Sequence, residues 1–170
     1  MNINKNKVIR FHNPDEENGY LSNWYISTFS VGGVPFTSME QYMMFEKARV
    51  FKDFKILYEM LKTNDVAVIK KLGRQISGYN DVIWNGIRQN IVFRGAYQKF
   101  SCNEDIKKKL LGTGDAILAE CAVNDKIWGI GLGMDDLKAL SIDMWKGQNL
   151  LGFTLMSVRD VLMQEKGDRA

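Results

Sequence analysis

The chain is 170 residues long, which is enough for one domain with a single hydrophobic core. Its composition, 45% hydrophobic and 25% charged residues, is typical of a globular protein, and no stretch approaches the length of a transmembrane helix. The net charge of +3 permits a preference for anionic ligands but argues against nucleic-acid binding by charge alone, because the longest basic run is Lys107 to Lys109.

The scarce residue types narrow the possible chemistry. The chain has one histidine, His12, and two cysteines without CxxC spacing. This excludes a site built from several histidines and makes any histidine-based triad depend on one residue near the N-terminus. We therefore assign acid-base chemistry to carboxylates. The N-terminal residues lack an apolar leader segment, which predicts a cytoplasmic location without membrane association.

The N-terminal part of the chain predicts short strands around an aromatic, polar segment. A strand is expected over residues 8–11, and Gly32-Gly33 between two apolar runs predicts a hairpin with a primed turn. Between them, residues 20–25 combine aromatic side chains with Ser22 and Asn23. This segment suits either a pocket wall that stacks on a base or a packed loop, and the sequence leaves both open.

An almost wholly apolar helix is predicted next, and it carries one carboxylate at its start. Ser38 followed by Gln41 is a capping-box pattern, which makes Ser38 the N-cap and places Glu40 in the first turn. Glu40 and Lys47 are about two helical turns apart and therefore lie near one face. A carboxylate and an ammonium on a buried helix are costly unless something uses them, so this pair is a candidate for chemistry. The alternative is that Glu40 only stabilises the helix start.

Two short helices follow, for which Asp53 and Asp65 are the predicted N-caps. Gly73 ends the second of them, and Arg74 comes directly after it. Arg74 fits either a phosphate contact or a surface ion pair.

A long helix is predicted from about residue 80, with Trp84 in its first turn. Its buried stripe is predicted to consist of Ile83, Ile87, Ile91 and Val92. Gly86 and Gly95 are candidate points of close approach, and Arg88 and Arg94 are expected on the solvated face.

Residues 116–121 predict a small strand, which leads into a glycine-rich loop at residues 124–133. Alternate glycines are typical of a backbone that a ligand can approach closely, with Trp128 as a stacking plate and Asp125 as a second carboxylate. The GxGxxG spacing is absent, so the loop is not a dinucleotide fingerprint. A partly helical stretch and a final helix from about residue 148 complete the pattern.

These elements predict an α-rich α+β fold. We expect a single domain over residues 1–170, with a core at about residues 8–163 and a frayed tail at residues 164–170. Six or seven helices are expected around the Glu40 helix, with one small sheet formed by the N-terminal strands and residues 116–121.

A set of short motifs occurs in one order along the chain. The motifs are Gly19–Tyr25, Ser38–Tyr42 with Lys47-Ala48, Leu72-Gly73-Arg74, Trp84, Lys99-Phe100, Asn124-Asp125 with Trp128–Leu132, and Asn149–Gly152 with Met156 and Arg159. Together they resemble the NADAR, or YbiA-like, family of N-glycosidases, over roughly residues 10 to 163. The resemblance implies a YbiA-like multihelical domain.

The resemblance also implies hydrolysis of the bond between a base nitrogen and ribose C1. The substrate would be a phosphoribosylamino-pyrimidine intermediate of riboflavin synthesis, or ADP-ribose attached to a guanine base of nucleic acid. By the same resemblance, Glu40 and Asp125 are the catalytic carboxylates. The implied substrate-binding residues are Ser22, Asn23, Lys47, Arg74, Trp84, Trp128 and Gly129. No metal, cofactor or obligate protein partner is implied.

The chain also departs from the family pattern. Many members have His after the central Glu, where this chain has Gln41, and Gln where it has Met44 and Glu46; the loss of that His argues against an imidazole relay. The longer segment after the glycine-rich loop resembles a branch distinct from the compact bacterial riboflavin-associated enzyme. Two alternatives stand beside an enzyme: a non-catalytic module that binds ADP-ribose or a nucleotide, and a scaffold in which Glu40 and Lys47 form a structural pair.

Overall fold

The structure, a computed structural model, describes residues 7–167. Within that range the α-helices are α1 (Met39–Val50), α2 (Phe54–Met60), α3 (Val66–Gly73), α4 (Asp81–Cys102), α5 (Glu104–Leu111) and α6 (Leu150–Gly167). The strands are β1 (Val8–Phe11), β2 (Phe29–Val31), β3 (Val34–Phe36) and β4 (Ile117–Glu120), and short 3-10 helices cover Gly19–Leu21, Leu137–Leu140 and Ile142–Met144. This content confirms the α-rich α+β class.

The described residues separate into two compact units. The first unit contains residues 7–22 and 104–167, and the second contains residues 23–103. The expectation of one small sheet is wrong in detail, because β1 pairs with β4 and β2 pairs with β3 in two separate two-stranded sheets. The hairpin turn closes β2 onto β3 locally, with φ of +58° at Gly32 and +82° at Gly33, as the primed-turn prediction requires.

Helix α1 is the centre of the second unit, and α2, α3 and α4 all pack against it. It is buried along almost its whole length, as its apolar residues on every side predict. Aromatic rings join it to the hairpin, since the Phe36 ring centre lies 5.2 Å from those of both Tyr42 and Phe45. This packing fixes the start of α1, where Glu40 lies.

Two glycines allow neighbouring helices to approach α1 closely. A Cβ at Gly95 of α4 would lie 2.3 Å from the Tyr42 ring, and a Cβ at Gly73 of α3 would lie 2.2 Å from Met44 Sδ. The prediction of close approach is therefore confirmed for Gly95. It is wrong for Gly86, where nothing lies within 4 Å of an added Cβ.

The first unit is built on the parallel β1–β4 pair, with α6 packed against β4. Asn149, just before α6, covers the edge of β4 that faces away from β1. Its Oδ1 accepts a hydrogen bond from Glu120 N at 3.0 Å, and its Nδ2 donates to Leu118 O at 2.8 Å. The side-chain amide thus takes the place of a neighbouring strand and satisfies the buried backbone groups.

The buried face of α4 differs from the predicted one near its N-terminal end. Ile83 is 51% exposed, whereas Arg88, predicted to be solvated, is 8% exposed. Trp84 is buried in place of Ile83, because an indole brings more apolar surface to the core than an isoleucine does. Residues at helical spacing from Trp84, including Arg88, then share its buried face.

Helix α6 is longer than predicted. It continues to Gly167, beyond the expected onset of fraying at residue 164, because Leu155, Val158 and Leu162 bury one face of it. The rest of the predicted tail, residues 168–170, lies outside the described residues. Among the helices that the structure describes, none is both long and apolar enough to cross a membrane.

Candidate active site

Glu40 is held at the start of α1 by the predicted cap. The Oγ of Ser38 accepts a hydrogen bond from Gln41 N at 3.1 Å, which makes Glu40 the second helical residue. The backbone N–H of Glu40 donates to the carbonyl of Asn23 at 2.9 Å. Glu40 is 4% exposed and Asn23 is also buried, so this bond joins the aromatic, polar segment to the helix start.

Gln41, directly after Glu40, has a structural role. Its Nε2 donates to the carbonyls of Met60 at 3.0 Å and Thr63 at 2.9 Å. Its Oε1 accepts from Thr37 N at 2.8 Å, instead of returning to Ser38 as a full capping box would. The amide is thus engaged on both sides and connects α1 with the end of α2 and with the loop that follows it.

Lys47 lies in a polar and aromatic surround. Its Nζ donates to the carbonyl of Gly73 at 3.1 Å and lies 4.3 Å from the centre of the Tyr79 ring and 5.9 Å from that of Trp84. Burial lowers the pKa of Lys47, while the carboxylates of Asp81 and Glu40 raise it. In the folded chain, Glu40 is thus close enough to Lys47 for its carboxylate to favour the charged form of the ammonium group.

Tyr79 and Asp81 lie next to Lys47, although the sequence analysis did not predict either of them as a site residue. The Tyr79 hydroxyl donates to Asp81 Oδ1 at 2.8 Å, so the ring over Lys47 and the carboxylate that acts on Lys47 are joined. The signal available in the sequence was an aromatic residue directly before Asn80, at the predicted start of α4. Trp84 is buried in the first turn of that helix, and Arg74 is exposed just after α3.

Two more lysines of the second unit lie against rings of the aromatic segment. Lys70 Nζ is 5.2 Å from the Trp24 ring centre, and Lys99 Nζ is 5.4 Å from that of Tyr25. Lys99 is completely buried, and this burial lowers its pKa to about 7. The resemblance included Lys99, but neither it nor periodicity indicated that its side chain is buried.

The glycine-rich loop in the first unit is shaped by Asp125. Its Oδ1 accepts hydrogen bonds from the backbone N–H groups of Ile127 at 2.9 Å and Trp128 at 2.8 Å. Gly129 follows in a tight place, because an added Cβ would lie 2.9 Å from the carbonyl oxygens of both Asp125 and Glu120. Close packing against the backbone of the loop and of β4 accounts for this glycine.

The predicted site residues thus fall into two groups. In the second unit, Asn23 and Glu40 are joined by the backbone bond, while Lys47 and Trp84 lie side by side. Ser22, Asp125, Trp128 and Gly129 belong to the first unit. Across residues 7–167, no group of three or more His, Cys, Asp or Glu side chains is arranged to hold a metal ion.

The family model and the related proteins that match this chain point to one family. The model of the NADAR domain matches residues 10–163. N-glycosidase R617 of Acanthamoeba polyphaga mimivirus is 35% identical over 162 residues, which are 91% of this chain and 95% of that protein. Riboflavin biosynthesis protein VVA0006 of Vibrio vulnificus is 31% identical over 156 residues, which are 92% of this chain but 39% of that protein.

A solved structure has the same fold. N-glycosidase YbiA of Escherichia coli is 26% identical over 166 residues, which are 98% of this chain and 95% of that protein. The NMR structure of YbiA matches with a TM-score of 0.79 at 27% identity, over 95% of this chain and 88% of that one. The chain therefore belongs to the NADAR domain family of N-glycosidases.

Proposed function

We propose that this chain hydrolyses the bond between a base nitrogen and ribose C1 of a phosphorylated N-riboside, with Glu40 as its catalytic carboxylate. The observation that carries the proposal is the position of Glu40, which is buried in the first turn of a buried helix. Its charge acts on the half-buried ammonium of Lys47. The relatives that are named N-glycosidases support the reaction class.

The reaction requires stabilisation of a cationic sugar. As the C1–N bond breaks, its electron pair leaves with the base nitrogen and positive charge develops at C1. A carboxylate fixed in a desolvated place stabilises this charge strongly, because little solvent screens it. Water then forms a bond to C1 and gives a proton to Glu40, which passes it on to solvent and so becomes a carboxylate again, while the departing nitrogen takes up a proton from solvent.

The remaining predicted residues have supporting roles in this proposal. Asp125 orients the attacking water or the substrate through Oδ2, because its Oδ1 accepts the two N–H bonds of its own loop. Trp84 and Trp128 stack on the base, a role suited to large flat rings. The polar groups and close backbone of Ser22, Asn23 and Gly129 fix the orientation of the base.

Lys47 and Arg74 bind phosphate. Lys47 donates one proton to the carbonyl of Gly73, which leaves two protons for a phosphate oxygen. Arg74 directly follows Gly73 and is exposed, so its planar guanidinium reaches solvent close to the same backbone. A phosphorylated substrate therefore suits this part of the second unit better than an unphosphorylated nucleoside.

Two substrates fit this chemistry: a phosphoribosylamino-pyrimidine intermediate of riboflavin synthesis, and ADP-ribose on a guanine base. The name of the Vibrio vulnificus relative favours the first. The alternative function is a non-catalytic module that binds ADP-ribose or a nucleotide with the same side chains. Both functions use the aromatic and basic groups, but only the enzyme needs Glu40 as a carboxylate.

The test is a side-by-side incubation of the protein with both substrates, followed by quantification of free base. Release of pyrimidine or of guanine supports the enzyme and identifies the substrate. Binding of ADP-ribose by calorimetry, without release of base from either compound, would instead support the binding module.

A further inference from the structure

A cleft of about 670 Å³ lies in the first unit, beside strand β1. Its volume is within the range of about 300–1,000 Å³ that is usual for small-molecule sites. None of the residues proposed above for base release lines it. Its walls come from β1, from the residues before the first 3-10 helix and from the C-terminal end of α5.

The charged side chains of this cleft are mainly cationic. Among the described residues that line it, Lys7, Arg10 and Lys109 are cationic and Glu17 supplies one carboxylate. The Nη1 of Arg10 donates to the carbonyl of Met134, which fixes the guanidinium and uses one of its five N–H donors. A fixed guanidinium fork is suited to phosphate, because it can donate two parallel hydrogen bonds.

An aromatic ring and a hydroxyl group also line the cleft. Tyr20 is buried, and Lys109 Nζ lies 5.6 Å from the centre of its ring. Thr113 also lines the cleft, and its Oγ1 accepts a hydrogen bond from Arg159 Nη1 at 2.8 Å. Arg159 is itself buried, and its Nε lies 3.8 Å from Asp160 Oδ1, so its charge is balanced in part by that carboxylate and the lining cations carry the positive potential of the cleft.

The free edge of β1 supplies backbone donors. The carbonyl of Lys7 accepts from Ile117 N at 2.9 Å, so residues 7, 9 and 11 face β4 in the parallel pair. Val8 and Arg10 therefore direct their backbone groups to the other edge, where the carbonyl of Arg10 accepts from Asn18 Nδ2 at 3.2 Å. Both residues line the cleft, and the N–H groups on this edge are suitable donors to an anion.

We propose that this cleft binds a phosphate-bearing ligand of nucleotide size. The cations and edge N–H groups would bind the phosphate, and Glu17 would accept hydrogen bonds from sugar hydroxyls. The phosphate belongs either to a free nucleotide or to the backbone of a single-stranded oligonucleotide. The proposal does not depend on the catalytic role of Glu40.

Amide chemical shifts of the isotope-labelled full-length chain test this proposal, with ADP and a short oligothymidylate as probes. We expect shifts of the amides of residues 7–10 and 109–113. Lys109→Gln should weaken binding about fivefold, the upper end of what one exposed charge contributes. Lys108→Gln is the matched control, because Lys108 is the exposed neighbour on α5 that does not line the cleft.

The outcomes separate the two ligand sources. Saturable shifts with ADP indicate a free nucleotide, and shifts with the oligonucleotide alone indicate a nucleic-acid backbone. Shifts confined to α1 and α4, no shifts with either probe, or equal effects of Lys109→Gln and Lys108→Gln would overturn the proposal. The variant Glu40→Gln should bind both probes at the cleft as the wild type does. Binding at the cleft is therefore tested independently of base release, and either proposal can fail without the other.

Discussion

The ammonium group of Lys47 lies 4.3 Å from the centre of the Tyr79 ring, whose hydroxyl in turn donates to Asp81. The ring covers the cation, and the burial to which it contributes lowers the pKa of Lys47 against the opposing effect of nearby carboxylates. Tyr79 therefore controls how strongly a residue proposed to bind phosphate is solvated.

Removal of this ring should raise the pKa of Lys47 towards its ordinary value. Tyr79→Ala lets water reach the ammonium and so reduces the desolvation that opposes its charged form. Tyr79→Phe keeps the ring and should leave the pKa of Lys47 closer to the wild-type value. The measurement is an NMR titration of the lysine side chains, with Lys47 assigned by Lys47→Arg. An unchanged pKa in Tyr79→Ala would show that the ring does not contribute to this desolvation.

Lys99 should make stability depend on pH. Burial lowers its pKa to about 7 from an ordinary value of 10.5, so between these values the unfolded chain binds more protons than the folded chain does. The free energy of unfolding should therefore increase as the pH rises from about 7 to 10.5. Lys99→Met keeps the length of the side chain without its charge.

Urea unfolding of both proteins across this pH range tests the prediction. We expect Lys99→Met to lack much of the increase in stability that the wild type shows between pH 7 and 10.5. If both proteins show the same pH dependence, the ammonium of Lys99 is not the source of this dependence.

Gly95 and Gly86 form a matched pair in α4. Alanine at Gly95 would place a Cβ against the Tyr42 ring, so we expect a loss of about 1–3 kcal/mol from overpacking. Alanine at Gly86 has open space and should stabilise the helix by roughly 0.5–1 kcal/mol through its higher helix propensity. Thermal unfolding of both variants measures the difference. Equal effects would mean that α1 and α4 do not approach closely at Gly95.

The side chain of Asn149 should contribute strongly to stability, because it satisfies the backbone groups at the edge of β4. Asn149→Asp loses the donor to the carbonyl of Leu118 and places a second oxygen against it, which should cost about 3 kcal/mol or more for a buried, unsatisfied charged group. Gln148→Ala, at the neighbouring exposed position, should change stability by less than about 0.5 kcal/mol. Denaturant midpoints compare the two variants, and similar midpoints would contradict the edge-covering role of Asn149.

Local features of this fold could be predicted from sequence because a few neighbouring residues determine them. Ser38, Asp53 and Asp65 cap the helices that they were predicted to cap, since each side chain bonds to an N–H two or three residues along the chain. The buried face of α4 could not be predicted fully, because it depends on packing against α1. Arg88 lies on that face although its residue type favours solvent.

Contacts between segments distant in the sequence account for what was missed at the candidate site. No periodicity indicates that Tyr79 covers Lys47 across an interval of several elements, or that the side chain of Lys99 is buried. The proximity of Glu40 and Lys47 could be inferred because both lie on one helix. The roles of Asp125 and Trp128 remain predictions, as does the expectation of a single domain.

The most direct measurement of the central claim is the rate of base release by Glu40→Gln on whichever substrate the wild type hydrolyses. Loss of the carboxylate should reduce this rate by about a hundredfold or more, in a protein that remains folded. Glu46→Gln is the matched control on α1, because Glu46 is also buried but pairs with Arg49; it should retain the rate and lose stability instead. Base release by Glu40→Gln at the wild-type rate would contradict a catalytic role for Glu40.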